Sequence, residues 1–197
     1  MASIRYGIEV IFFSNLFHNH IKMELKELMN DCAKRQKKGL HFIMTSVVIW
    51  GLICAAHLTD LTIEQKNLIT FCCSAVLFPM SWMLSKVLKI DFESKGNPLS
   101  KAGLLFSINQ MLYILIVMWV FAAVPQKMVM VYAMVFGAHL MPFSWLYQSK
   151  SYLILSIIIP ILSLFIGLMY PPYVLAGLMI IIEIVFSVCL YLEVRGD

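Results

Sequence analysis

SYLILSIIIPILSLFIGLMYPPYVLAGLMIIIEIVFSVCLYL, residues 151–192, carries a single charged side chain, Glu183. One crossing of a bilayer core takes about 20 apolar residues. The stretch is too long to cross once, and Pro171-Pro172 divides it, because proline cannot continue a helical hydrogen-bond ladder. It therefore predicts two transmembrane helices joined by a tight break. The rest of the chain has the same character: 61% of its residues are hydrophobic, 13% are charged, and its mean hydropathy is +0.85. Soluble domains carry about 25% charged residues. Lipid is the solvent such a chain requires.

Reading back toward the N-terminus gives six apolar runs of spanning length, at roughly residues 39–58, 67–88, 102–124, 127–147, 151–170 and 172–193. The expected fold is all-α: a polytopic membrane bundle of six transmembrane helices (39–193), preceded by an N-terminal segment (1–38) and followed by a short tail (194–197). Charge sets the expected orientation. Lys34, Arg35, Lys37, Lys38, Lys86, Lys89, Lys95, Lys101, Lys150 and Arg195 fall on one side, against Lys66 and Lys127 on the other. Basic residues mark the cytoplasmic side, so both termini are expected there, in a cytoplasmic membrane. The net charge of +4 follows this pattern and forms no separate basic face, which argues against nucleic acid as a partner.

Within the bundle a motif recurs. Pro79, Ser81 and Trp82 in LFPMSWMLSK (77–86) return 63 residues later as Pro142, Ser144 and Trp145 in LMPFSWLYQSK (140–150). Both copies fall near the cytoplasmic end of a descending helix, where tryptophan and lysine are favoured. The match reads as a helical hairpin repeated in parallel, with convergent use of interface residues as the alternative. Residues 186–191 echo it without the proline.

The first 22 residues fit neither a span nor a signal peptide. They read either as an interfacial helix or as untranslated sequence ahead of Met23, with His18 and His20 inside them. Cys32, Cys54, Cys72, Cys73 and Cys189 show no metal-ligand spacing. Four of them read as small apolar side chains. Cys32, beside Lys34 and Arg35, reads as a candidate low-pKa thiol. Contact between Cys54 and Cys72 is a further option.

The stretches DCAKRQKKGLHFIM, DFESKGNPLSKAGLLFSINQMLY and MVMVYAMVFGAHLMPFSWLYQSKSY resemble a family of small uncharacterised membrane proteins of bacilli and clostridia, the YoaS-like family. The resemblance covers about residues 23 to 193. It implies a bacterial cytoplasmic membrane and carries no functional residues with it.

Candidate chemistry comes from polar groups at membrane depth. A charged side chain near a helix centre costs about 2.5–3.5 kcal/mol on insertion scales and faces other helices or a cavity. Rise per residue puts Glu183 about 15 Å from the cytoplasmic side, His139 about 12 Å and Asn109 about 10 Å. Gln110, Thr45 and Ser46 share that layer, with Pro79 and Pro142. The candidate ligand or proton site is Glu183, His139, Asn109 and Gln110. Amides often serve only as glue between helices, and Gly137 and Gly177 suit close packing. A titratable carboxyl near the midplane points further, to proton coupling or cation binding. His41 and His57, at span ends, read as interfacial. GNPLS (96–100) reads as a turn with Ser100 capping the third span.

No cofactor or metal is expected. The expected partners are the bilayer, a homo-oligomeric copy and an unidentified small ligand. A small transporter or channel, open to proton coupling, fits this pattern best. The alternatives are a non-catalytic membrane partner docking through loop 86–101 and, less well fitted, a membrane-embedded enzyme using His139 with Glu183.

Overall fold

A computed structural model describes residues 24–91 and 96–196. Residues 1–22, with His18 and His20, and Lys95 lie outside the described residues. Among the described residues the chain is all helix and turn, and six helical stretches are long and apolar enough to cross a membrane: Lys37–His57, Ile63–Val87, Leu99–Ala123, Pro125–Leu146, Lys150–Met169 and Pro172–Gly196. Every bound lies within four residues of its expected place. The protein is a polytopic membrane bundle of six helical spans.

The elements are α1 (24–35), α2 (Leu40–His57), α3 (Ile63–Ala75), α4 (Leu77–Val87), α5 (Leu99–Ala123), α6 (Met128–His139), α7 (Met141–Leu146), α8 (Lys150–Met169) and α9 (Pro172–Gly196). Where bounds differ from expectation, polar caps are the reason. Span two starts early because Thr62 and Gln65 form a reciprocal capping box ahead of the apolar run. Span three starts at Leu99, whose N–H donates to the Asn97 side-chain oxygen at 2.9 Å. Asn97, rather than Ser100, is thus the side chain that caps this end.

Spans two and four are each broken in two, at Val76 and at Leu140. Pro79 and Pro142 stand in the first turn after each break. Each lacks an N–H and crowds the carbonyl four residues before it, Ala75 or Ala138. The repeated motif therefore marks a repeated bend. Pro160, by contrast, lies within an unbroken α8.

Two antiparallel pairs organise the bundle. α2 runs against α9, tied by Lys38–Glu193 at one end, Ser46–Glu183 in the middle and Cys54–Tyr173 at the other. α6 runs against α8, and here glycine matters. A Cβ on Gly137 would stand 2.6 Å from Ile159 and Pro160, and one on Gly167 would stand 2.4 Å from Met130. Gly177 differs from expectation: nothing lies within 4 Å of where its Cβ would be. α2 and α9 carry the centre of the core, with Ile49, Trp50, Ile53, Leu175, Met179 and Phe186 buried. α5 is peripheral and turns Leu104, Leu105, Leu112 and Trp119 outward.

α1 closes the basic end of the bundle. Met29, Cys32 and Ala33 form its buried stripe at helical spacing. Asn97 donates to Leu28 O (2.8 Å) and to Asp31 (2.9 Å), clamping α1 to the start of α5. Asn97 and Arg35 hold the Asp31 carboxyl below its ordinary value of 3.8. Cys32 is fully buried, and that burial pushes its thiol up to about 11. The low-pKa reading of Cys32 fails because desolvation outweighs the basic residues near it in sequence. Among the described residues all five cysteines are free thiols.

Candidate functional site

The bends at Val76 and Leu140 face a cavity of about 400 Å³. Its wall is drawn from α2, both halves of spans two and four, α5 and α8. α4 packs on α2, while α5 packs on α6 and α7, so α4 and α5 stand on opposite sides of the space. The volume falls in the range of small-molecule sites, and the lining is mostly apolar with a few polar groups, as such sites usually are.

Three of the expected polar groups gather here. Gln110 and His139 line the cavity, and so does Ser46. Gln110 gets there because Gly103, Ser107, Gln110 and Ile114 share one face of α5 at helical spacing. Asn109 is placed elsewhere. One residue along the helix turns it about 100° away; it is exposed, and its amide donates to Tyr113 Oη at 2.9 Å.

His139 is fixed by its own helix. Its Nδ1 donates to the Phe136 carbonyl, which has no proton to give, so Nδ1 carries the hydrogen. Nε2 remains as the imidazole's other polar atom. The ring lies edge-on between Phe136 and Phe143, with centroids at 5.3 and 6.0 Å.

Glu183 is fully buried on α9, behind the wall formed by Ser46. Its Oε2 lies 2.5 Å from Ser46 Oγ, and its Oε1 has no hydrogen-bond partner among the described residues. Ser46 Oγ also reaches Ile43 O at 2.7 Å. A hydroxyl has one proton for these two acceptors. If Ser46 donates to the carboxylate, Ile43 O goes without. If Glu183 is protonated and donates to Ser46, the serine proton is left for Ile43 O. The pair has two hydrogen-bond arrangements that differ by one proton.

Three tyrosines, Tyr132, Tyr147 and Tyr152, complete the wall. Tyr147 Oη donates to Gln36 Oε1 (2.7 Å), Tyr152 Oη donates to Lys38 O (2.9 Å), and Tyr132 shares a hydrogen bond with Ser74 (2.8 Å). Tyr147 falls within the quoted LMPFSWLYQSK stretch, whose repeat takes in only the proline, serine and tryptophan. The close approach of Tyr152 to Gly39, at 3.0 Å from where a Cβ would stand, is visible only in the fold. Gly39 itself needs its left-handed φ of +70°. His41 and His57, at the two ends of α2, are buried in the bundle, the latter with Nε2 3.3 Å from Thr70 Oγ1. Among the described residues no cluster of His, Cys, Asp and Glu could hold a metal ion.

No curated protein matches the chain, and no solved structure does. The family match that exists carries neither the YoaS name nor a bacterial source. It extends over residues 25–193, taking in every helix that lines the cavity and Glu183 behind it: the chain belongs to DUF7010, a family of unknown function.

Proposed function

We propose that the protein is a small membrane transporter or channel whose ligand site is the cavity between α4 and α5, with Glu183 as the titratable group coupled to it. The observation that carries this reading is the placement of Ser46, which lines the cavity on one side and holds the Glu183 carboxyl on the other. A proton gained or lost by Glu183 reorders the hydrogen bonds of a cavity-wall residue, and a ligand that engages Ser46 alters the carboxyl in turn. That reciprocity is what coupling between two sites requires. The bends beside Pro79 and Pro142 lie along the same wall, and helix breaks beside a cavity are where membrane transporters place their substrate sites. In this reading the ten-to-two basic bias puts both termini in the cytoplasm, and the membrane is the bacterial cytoplasmic one.

The test is a panel of small neutral, anionic and cationic solutes, scored by the thermal stability of the purified protein. At least one solute should stabilise the wild type, since binding to the folded state raises its unfolding midpoint. Ser107→Phe, which fills the cavity from α5, should lose that response. A wild type indifferent to every solute contradicts the reading.

A further inference from the structure

We infer that the cavity takes an organic monocation, an ammonium head on an apolar body. This rests on the reading of the cavity as a ligand site and names its ligand class. Among the described residues five phenylalanines and three tyrosines line the space, and none of the lining residues is Lys, Arg, Asp or Glu. The tyrosine hydroxyls are already engaged with Gln36, Lys38 and Ser74, so each contributes chiefly its ring. Aromatic rings attract cations through their negative faces, by about 0.5–2 kcal/mol each as water is removed.

The polar groups point the same way. With Nδ1–H committed to Phe136 O, a neutral His139 has an acceptor left at Nε2. Behind Ser46 stands the fully buried carboxyl of Glu183, whose Oε1 has no partner among the described residues. An anionic ligand would meet no Lys or Arg side chain among the described residues of the wall and would have this carboxyl behind it. A neutral hydrocarbon would fill the space and leave the acceptors unused. A monocation meets the rings and the carboxylate, with any N–H it carries left for the acceptors, and it balances a charge otherwise costly at membrane depth.

The experiment measures calorimetric binding of benzyltrimethylammonium to the purified full chain. Neopentylbenzene, the same shape with carbon in place of the charged nitrogen, is the comparison. The cation should bind at least about tenfold more tightly. Glu183→Gln, which preserves the side-chain shape, should reduce that preference while leaving binding of the neutral compound in place. Phe143→Leu, which removes one of the rings of the wall, should also reduce it. That second variant keeps the test open if Glu183→Gln folds poorly. Equal or tighter binding of the neutral compound overturns the cation assignment and leaves the cavity standing as an apolar ligand site. Binding of neither compound also overturns the assignment, and the solute panel then decides separately whether the cavity is a ligand site at all. A charge preference that survives both substitutions overturns it as well.

Discussion

Ser46 Oγ and Glu183 Oε2 meet at 2.5 Å across the centre of the α2–α9 pair, 137 residues apart in the chain. Among the described residues this is the one hydrogen bond the Glu183 carboxyl makes. The contact joins the most costly side chain in the bundle to the wall of its cavity.

Removing the serine hydroxyl should therefore expose the cost of that carboxyl. Ser46→Ala is expected to destabilise the protein by about 1–3 kcal/mol, the range for a buried polar group left without a partner. Glu183→Gln, whose amide can donate to Ser46, should cost less. Pairing Ser46→Ala with Glu183→Leu removes both polar partners and should recover most of the loss. Thermal unfolding in detergent of the four proteins checks the order; a double variant as unstable as Ser46→Ala would contradict it.

Glycine substitutions separate packing from coincidence. Gly137→Ala sets a methyl 2.6 Å from Ile159 and Pro160 and should destabilise by about 1–3 kcal/mol through overpacking. Gly177→Ala meets open space and should be neutral or stabilising by up to about 1 kcal/mol, since alanine is the better helix former. A Gly137→Ala protein as stable as the wild type would mean the α6–α8 contact is not as close as described.

The spans were legible in the sequence because membrane crossing is a matter of run length, and Pro171-Pro172 divides the last run without ambiguity. Glu183 and Ser46 were legible as deep polar groups, yet their pairing depends on α2 lying against α9, which no local pattern encodes. Asn109 and Gln110 are neighbours in sequence and share a depth. Only Gln110 reaches the cavity, because a helix turns about 100° between them. Gly137 and Gly177 look equivalent in a helix until the neighbour is known: Pro160 in one case, open space in the other. The basic neighbours of Cys32 are visible in the sequence, whereas the burial that governs its thiol is not.

Cys32 makes that last point testable. Burial holds its thiol up to about 11, above the ordinary 9.0. A raised pKa favours the protonated, folded form fully below pH 9, and this contribution is lost as pH rises through about 11. Native protein at pH 8 should leave Cys32 unmodified by N-ethylmaleimide, as read by peptide mass spectrometry, whereas denatured protein should modify it completely. Rapid native labelling would contradict the packing of the buried stripe of α1 against the bundle.

Orientation is testable one residue at a time. Asp60 and Gln126 lie exposed at the end opposite the basic cluster, and Lys150 lies exposed at the basic end. Single cysteines at the first two positions, in a cysteine-free background, should react with an impermeant thiol reagent in intact cells. A cysteine at Lys150 should react only after lysis. The reverse pattern would invert the bundle.

The most direct measurement of the central claim is solute-driven proton movement in liposomes containing the purified protein, followed with an internal pH dye. A solute that stabilises the wild type should drive a pH change across wild-type liposomes. The change should vanish with Glu183→Gln, although the variant inserts normally. Undiminished solute-driven proton movement in Glu183→Gln would contradict the account and leave Glu183 as a packing residue of the α2–α9 pair.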